Sequence, residues 1–223
     1  AHWPEQASAP GLAMNFATVA LATPRLRYVA FNTVGGITSD ARVRQALALL
    51  VDRKSLASDV YDGLAVPVAA PIWPGGPASG TAAPLLPFDP MAAGALFDAA
   101  GLRDTDGDGV RDRDGKPVNL NVLVTERPDV PTTGPSRGVP ERDRIIDAWR
   151  RAGIGVTVRE ATDAVVPRKL AAGGCDAAFL ERNAVADLDL RSWLGTDGSD
   201  NLGRFSSPTV DGVLARMGTG WDP

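Results

Sequence analysis

An acid-rich segment, residues 104–115, carries the residues whose spacing suits a metal. Asp104, Asp106 and Asp108 alternate with other residues and are followed by Gly109. Alternate carboxylates in a tight turn can point at one centre, which is the arrangement that a hard cation such as calcium requires. The carbonyl oxygen of Val110 and the carboxylate of Asp112 would complete a set of five ligands. The predicted metal-ligating residues are Asp104, Asp106, Asp108, Val110 and Asp112. Such a calcium ion would hold a loop and perform no catalysis.

The same segment also has an interpretation without metal. Gly115 occupies the position where a calcium loop has its final bidentate Glu, and a strand rather than a second helix is predicted to follow. Asp and Gly are frequent in turns, and neighbouring arginines such as Arg111 and Arg113 can offset the repulsion among the acids. Both interpretations stay open, and the sequence requires no cofactor.

Residue counts exclude several kinds of catalytic site. The 223 residues include one His, His2, and one Cys, Cys175. Nucleophilic triads need a positioned imidazole, and cysteine-rich zinc sites need several thiolates. A net charge of -4 without a clustered basic face argues against nucleic-acid binding. No run of about 18 apolar residues is present to span a membrane. We therefore expect a binding protein rather than an enzyme.

The apolar patterning predicts strands alternating with helices. The predicted strands are 26–32, Asn119–Thr125, Ile154–Val158 and Cys175–Leu180, and the predicted helices are about 40–51, 53–61, 89–101, 141–152, 163–172 and 207–217. The order strand, helix, strand, helix, strand from 119 to 180 is typical of a parallel sheet with crossover helices. Ligands of such sheets bind beyond the carboxyl ends of the strands, which directs attention to Thr125–Arg127, Arg159–Ala161 and Glu181–Asn183.

Several blocks, taken in order, resemble one protein family. They are YVAFNT (28–33), DARVRQALALLVDRKSLASDVYDGLAVP (40–67), FDPMAAGALFDAAGLRDTDGDGVRDRDGKPVNLNVLV (88–124), GCDAAFL (174–180) and NLGRFSSPTVDGVL (201–214). They are similar to blocks of the family 5 extracellular solute-binding proteins, the peptide, dipeptide and nickel receptors of ABC importers. The resemblance implies an α/β fold: a periplasmic-binding-protein-like lobe with a mixed, mostly parallel sheet and crossover helices.

The resemblance also implies a domain organisation and a function. We expect residues 1–25 to lead from a first lobe that is missing here, residues 26–217 to form the second lobe, and residues 218–223 to be a truncated tail. The receptor would be a periplasmic or extracellular monomer, with a lipid anchor as one option. It would capture a peptide-like or other small solute and deliver it to an ABC permease. The alternative is a calcium-stabilised structural or adhesion module without a transport role.

The residues around the last predicted strand are the candidate binding site. In peptide-binding members a Gly-Trp pair and an acid that binds the peptide amino terminus follow this strand. Here Glu181-Arg182 replaces Gly-Trp and Val185 stands at the position of the acid. Arg182 is suited to bind a ligand carboxylate through two hydrogen bonds. The predicted ligand-binding residues are Asn32, Glu181, Arg182, Asn183, Asp187 and Trp193, with turn capping as the alternative for Asn32 and helix capping for Asp187.

Overall fold

The computed structural model describes residues 24–72, 84–126, 140–183 and 190–217. The strands in these ranges are β1 Arg25–Phe31, β2 Asp112–Arg113, β3 Lys116–Pro117, β4 Asn119–Thr125, β5 Gly155–Ala161 and β6 Ala177–Asn183. The α-helices are α1 Ala41–Leu49, α2 Arg53–Asp59, α3 Pro90–Ala99, α4 Pro140–Arg151, α5 Val165–Ala171, α6 Arg191–Leu194 and α7 Pro208–Met217. A short 3-10 helix, Ile37–Ser39, precedes α1.

Four strands form the main sheet in the order β1-β6-β4-β5. Strand β4 pairs in parallel with β5 on one side and with β6 on the other. Strand β1 runs antiparallel to β6, with Arg25 opposite Asn183 and Phe31 opposite Ala177. The three strands predicted to lie side by side do so, and the fold class is the predicted one: α/β with a mixed, mostly parallel sheet.

Two strands run further than their apolar residues indicated. β5 was expected to end at Val158 and β6 at Leu180, but they continue to Ala161 and Asn183. Their polar ends remain strands because the backbone of Arg159–Ala161 pairs with β4 and that of Glu181–Asn183 pairs with β1. Side-chain polarity therefore marked where burial ends and not where the hydrogen-bonded ladder ends.

The two faces of the sheet carry separate cores. On the first face, α1, α3 and α4 cover the sheet and bury Leu47, Phe97 and Trp149. On the second face, α5 covers the sheet and buries Val166 and Leu170. Each of these large apolar side chains contributes about 1.5–3 kcal/mol when it is fully buried. The predicted core position of Trp149 and the predicted burial of Cys175 are both confirmed.

Helix ends follow local signals in the sequence. The Asp40 carboxylate accepts a hydrogen bond from the Arg42 N–H at 2.8 Å and caps α1. The Asp89 carboxylate accepts from the Ala92 N–H at 2.9 Å, with Pro90 at the first position of α3. Both caps satisfy backbone donors that have no partner inside the helix. These caps fix where the two helices begin on the first face.

The last carbonyl groups of α1 are satisfied by other parts of the chain. The Leu47 carbonyl accepts from the Trp149 indole N–H at 3.0 Å, and the Leu49 carbonyl accepts from the Asp89 N–H at 3.0 Å. A helix leaves its final carbonyl groups without partners inside the helix, and burying them unpaired is costly. The end of α1 is therefore fastened to α4 and to the start of α3. In the described ranges, no helix is both long enough and apolar enough to cross a membrane.

Candidate functional site

The candidate site is the edge of the sheet where β4, β5 and β6 end and where β1 begins, which we call the carboxyl-end edge. Val122 and Leu123 of β4 pair with Ala177 and Ala178 of β6. Continued along the strands, this register places the last residue of β4 level with Leu180. Glu181–Asn183 therefore extend beyond β4 and pair only with β1 among the described strands. Ligands of open α/β sheets bind at this kind of edge.

Glu181 lies on the first face of the sheet between two arginines of β1. Its carboxylate accepts a hydrogen bond from the Arg27 Nε at 2.9 Å and lies 3.3 Å from the Arg25 Nη1. Arg27 and Glu181 are directly opposite each other in the β1–β6 register, so their side chains share one face. The carboxylate is one-third exposed, so it is held in position by cations while still facing solvent.

Arg27 connects β1 with β6, with α4 and with the turn that follows α2. Its Nη1 donates to the Tyr61 hydroxyl at 2.8 Å and to the Glu141 carboxylate, which belongs to the first turn of α4. Burial opposes the charge on Arg27, but the oxygens of Tyr61, Glu141 and Glu181 raise its pKa above the ordinary value. Burial and the nearby Glu141 raise the pKa of Tyr61 to about 12. Arg27 therefore stays charged and Tyr61 stays protonated at neutral pH.

Arg182 lies on the second face, where it forms a different group of contacts. Its guanidinium forms an ion pair with Asp200, in the turn that follows α6. Tyr28 of β1 is its diagonal neighbour, because Tyr28 pairs with Leu180 and the side chains of Leu180 and Arg182 point to the same face. The Tyr28 ring packs against Trp193, with 5.2 Å between ring centroids. Tyr28, Arg182, Trp193 and Asp200 thus form one cluster, which we call the second-face cluster.

The other predicted ligand-binding residues have different positions. Asn183 is exposed at the last position of β6, opposite Arg25. Asp187 lies outside the described residues. Trp193 lies on α6 and is partly buried by its contact with Tyr28. The structure therefore places Glu181, Arg182, Asn183 and Trp193 at the carboxyl-end edge.

Asn32 lies at the opposite edge of the sheet, because β1 runs antiparallel to β6. Its backbone N–H donates to the Asp176 carbonyl at 2.8 Å, just before β6 begins. Its side-chain oxygen accepts from the Val34 N–H and from Arg204, each at 3.1 Å. The expectation that Asn32 belongs with the other predicted ligand-binding residues is thus not met in the geometry, and a ligand contact of Asn32 stays a prediction.

The acid-rich segment also lies away from the carboxyl-end edge. The Arg111 N–H donates to the Gly153 carbonyl at 2.7 Å and the Val118 N–H donates to the Arg111 carbonyl at 2.8 Å. Gly153 and Val118 precede β5 and β4 respectively, so the segment flanks the amino ends of these strands. A metal in this segment would therefore be far from a solute bound at the carboxyl-end edge.

Three of the predicted metal ligands come together in the structure. Carboxylate oxygens of Asp104, Asp106 and Asp108 lie within 4.8 Å of one another, and all three side chains are exposed. The Asp104 carboxylate accepts hydrogen bonds from the Gly107 and Gly109 N–H groups at 2.7 and 3.0 Å. These two backbone bonds lower the pKa of Asp104. These hydrogen bonds from backbone N–H groups to Asp104 are typical of an Asp-Gly turn, as the metal-free interpretation expects. Calcium binding stays a prediction.

Asp112 does not join these three carboxylates. Its side chain is buried and accepts hydrogen bonds from the backbone N–H and the hydroxyl of Thr105, the former at 3.0 Å. Asp112 also begins the β2–β3 hairpin, in which it pairs with Pro117. The backbone N–H of Val110 donates a hydrogen bond to the Asp108 carboxylate at 2.7 Å. This contact uses the N–H of Val110 and not the carbonyl oxygen, which was the predicted ligand atom.

Sequence reasoning missed Arg27, Tyr28, Tyr61 and Asp200. The alternation of β1 contained part of the signal, because residues 25 and 27 must share one face and residue 28 must lie on the other. The missing information was the partner strand and its register, which place Arg27 opposite Glu181 and Tyr28 diagonal to Arg182. Tyr61 and Asp200 come from distant turns that no local pattern connects with these strands.

Comparison with known proteins gives consistent matches. The family of bacterial extracellular solute-binding proteins, family 5 Middle, matches residues 1–204. The oligopeptide-binding protein AppA of Bacillus subtilis (strain 168) is 34% identical over 103 residues, which are 44% of this chain and 19% of AppA. The structure of Bacillus subtilis AppA in complex with a nonapeptide matches with a TM-score of 0.73 and 21% identity, over 90% of this chain and 40% of that one.

Two further solved structures share the fold as well. NikZ from Campylobacter jejuni, in complex with Ni(L-His), has a TM-score of 0.70 and 20% identity over 90% of this chain and 40% of its own. NikA from Brucella suis, in complex with Fe(III)-EDTA, has a TM-score of 0.68 and 21% identity over 87% of this chain and 38% of its own. The chain thus spans at most 40% of the length of these relatives. On the family match, which covers most of its residues, the chain belongs to the bacterial extracellular solute-binding proteins of family 5.

Proposed function

We propose that this chain forms one lobe of a receptor that captures a small solute for an ABC importer. The observation that carries the proposal is the carboxyl-end edge, where charged and polar side chains of β6 extend beyond the neighbouring strand in a chain of the solute-binding family. Parallel α/β sheets use this edge to bind ligands. Binding alone, without a chemical step on the solute, is the proposed activity.

The open backbone of Glu181–Asn183 favours a peptide-like solute. On the side of β6 that faces β4, the backbone groups of these residues have no partner strand in the described part of the chain. An extended peptide can add to such an edge by backbone hydrogen bonds, and side-chain pockets then select its residues. The nonapeptide bound by AppA of Bacillus subtilis is a solute of this class.

The charges at the edge favour a solute that carries a carboxylate. Arg182 uses Nη1 for Asp200, and a guanidinium has five N–H donors in total. A second carboxylate can therefore bind to the donors that Asp200 leaves. The solutes of the compared structures, a nonapeptide, Ni(L-His) and Fe(III)-EDTA, contain this group in common. We propose a peptide with a free carboxyl terminus as the solute.

The proposed mechanism is closure of two lobes around the solute. A lobe that contributes one wall of a cleft binds the solute weakly by itself, and the solute stabilises the closed form because it contacts both walls. The closed receptor would deliver the solute to the permease. We place the receptor in the periplasm or outside the cell, and retain the lipid anchor as part of the proposal.

The test is a thermal-shift screen of the intact protein, that is, the receptor with both lobes, followed by calorimetry. Pools of oligopeptides, sugars and nickel chelates are screened first, and the best peptide is then titrated in its free-carboxyl and C-terminally amidated forms. We expect the peptide pool to raise the melting temperature. The amidated peptide should bind at least about tenfold more weakly than the free-carboxyl peptide, since a hydrogen-bonded charge pair contributes about 1.5–3 kcal/mol. The absence of a shift with every pool would refute the proposed function.

Variants of two arginines locate the site. Arg182→Ala should weaken the free-carboxyl peptide by about tenfold or more, and Arg182→Lys should weaken it less, because Lys retains the charge without the planar fork. Arg103→Ala is the matched control, since Arg103 is exposed next to the acid-rich segment at the other edge of the sheet. Equal affinity of the Arg182→Ala and Arg103→Ala proteins would show that the site is elsewhere.

A further inference from the structure

The Tyr28 hydroxyl is a buried polar group without a partner. Among the described residues it is the one buried side-chain polar atom that makes no hydrogen bond. A buried hydroxyl without a partner has lost its hydrogen bonds to water without replacing them, and such groups are rare in folded proteins. The position of this hydroxyl is informative because Tyr28 belongs to the second-face cluster, next to the candidate binding residue Arg182.

The surroundings of Tyr28 combine a cation with an aromatic wall. The charge of Arg182 acts on the Tyr28 hydroxyl, and Trp193 packs against the ring at 5.2 Å. Trp193 belongs to α6, a four-residue helix whose N-cap residue, Leu190, makes no side-chain capping hydrogen bond. A short helix with few hydrogen bonds can shift at low cost. The group that shields Tyr28 is therefore carried on a helix of about one turn.

The phenol is in its donor form at neutral pH. Burial raises the pKa of Tyr28, and the nearby Arg182 charge offsets only part of that rise. A protonated phenol can donate one hydrogen bond, and the best acceptor for a donor next to a guanidinium is an anion. Asp200 already neutralises one side of Arg182. The cluster thus holds donors in excess of the acceptors it contains.

We propose that Tyr28 determines solute specificity: its hydroxyl and Arg182 together bind one carboxylate of the solute, which enters as α6 and Trp193 shift outward. This inference rests on the proposed function, because it names a subsite at the same edge of the sheet. The carboxylate accepts one hydrogen bond from the phenol and one or more from the guanidinium. Tyr28 would then exchange an unsatisfied state in the free protein for a satisfied state in the complex.

The test compares the removal of two hydroxyl groups in the intact protein. Tyr28→Phe removes the hydroxyl without a partner, and the control Thr105→Val removes a hydroxyl that donates to the buried Asp112 carboxylate at the other edge of the sheet. We expect Tyr28→Phe to melt at the same or a higher temperature than the wild type, and Thr105→Val to melt at a lower one. A merely structural role of the Tyr28 hydroxyl would give a lower melting temperature for both.

Affinity is the second measurement on the same variants, with the free-carboxyl peptide and its amidated form as probes. We expect Tyr28→Phe to weaken the free-carboxyl peptide by about 10- to 100-fold, the effect of losing a hydrogen bond to a charged group. The amidated peptide should bind the wild type and Tyr28→Phe alike, and Thr105→Val should bind both peptides as the wild type does.

The outcomes separate this inference from the proposed function. If the wild type binds peptides and Tyr28→Phe binds the free-carboxyl form equally well, the subsite is wrong and the proposed function stands. If Tyr28→Phe lowers the melting temperature, the hydroxyl has a partner in the free protein and the inference is overturned. If the wild type binds no solute of any pool, the proposed function fails and the subsite fails with it.

Discussion

Replacing Trp149 with Phe should destabilise the protein more than its change in size suggests. Trp149 is almost fully buried on the first face of the sheet, where its ring lies about 6.1 Å from the rings of Phe31 and Phe179. Its indole N–H also satisfies the Leu47 carbonyl at the end of α1. Phe keeps most of the aromatic contact but cannot donate that hydrogen bond. The substitution therefore tests the connection between α4 and α1.

The expected cost is the sum of two effects. A buried carbonyl left without a donor costs about 1–3 kcal/mol. The smaller ring also leaves a void, and removing part of a buried side chain of this size costs about 1 kcal/mol at least. We expect a total loss of about 2–4 kcal/mol in the free energy of unfolding. For a chain of this length each kcal/mol lowers the melting temperature by about 2–4 °C.

Urea unfolding monitored by circular dichroism measures this loss. The midpoint should fall while the slope of the free energy against urea stays constant, since the change alters stability and not the exposed surface. Trp193→Phe is the matched control, because Trp193 is only partly buried and its indole makes no hydrogen bond within the described residues. A cost for Trp149→Phe below about 1 kcal/mol, or equal to that of the control, would refute the role given to the indole N–H.

Three further predictions concern a turn, a helix cap and the acid-rich segment. Gly36→Ala should cost at least about 2 kcal/mol in urea unfolding, because Gly36 has φ 66° and ψ -163° and a Cβ there would lie 2.3 Å from an Asp176 oxygen. Gly94→Ala is the control inside α3, where a Cβ would make only an ordinary contact with the Arg111 side chain at 3.7 Å, and it should be neutral or stabilising. Equal costs of the two substitutions would contradict this. The hydrogen bond from Arg42 lowers the pKa of Asp40 in the folded protein. The stabilisation from the Asp40 carboxylate is therefore complete above the unfolded carboxyl pKa and is lost as pH falls through the lower folded pKa. Between pH 6 and pH 2 the melting temperature should fall less steeply for Asp40→Asn than for the wild type, and parallel curves would exclude the effect. Millimolar calcium should raise the melting temperature relative to chelator through the clustered carboxylates of the acid-rich segment, and identical melts would remove the metal hypothesis.

The elements of this fold were largely predictable because their signals are local. In α1, the stripe formed by Val43, Ala46 and Leu47 is buried as its spacing indicated, and Asp40 caps the helix. The Asp-Pro pair at 89–90 likewise begins α3. Caps and helical periodicity depend on residues within one or two turns, so one sequence contains the information.

The candidate site was predicted only in part because it depends on strand direction and register. Glu181 and Arg182 were identified, but they point to opposite faces and belong to different clusters. Asn32 was grouped with them, although the antiparallel course of β1 places it at the far edge. Asp200 was not predicted at all. Pairing between strands that are about 150 residues apart is a tertiary property, and a local pattern does not specify it.

The antiparallel pair β1 and β6 joins two regions that respond differently to mutation. Near Phe31 and Ala177 both strands lie within the cores, and a change of volume there disturbs close packing. Near Arg25 and Asn183 the same strands end in solvent, where substitutions affect stability little. If the proposed function holds, a few exchanges at these strand tips would change the solute that is bound, while the buried packing at the other end of the same strands stays as it is.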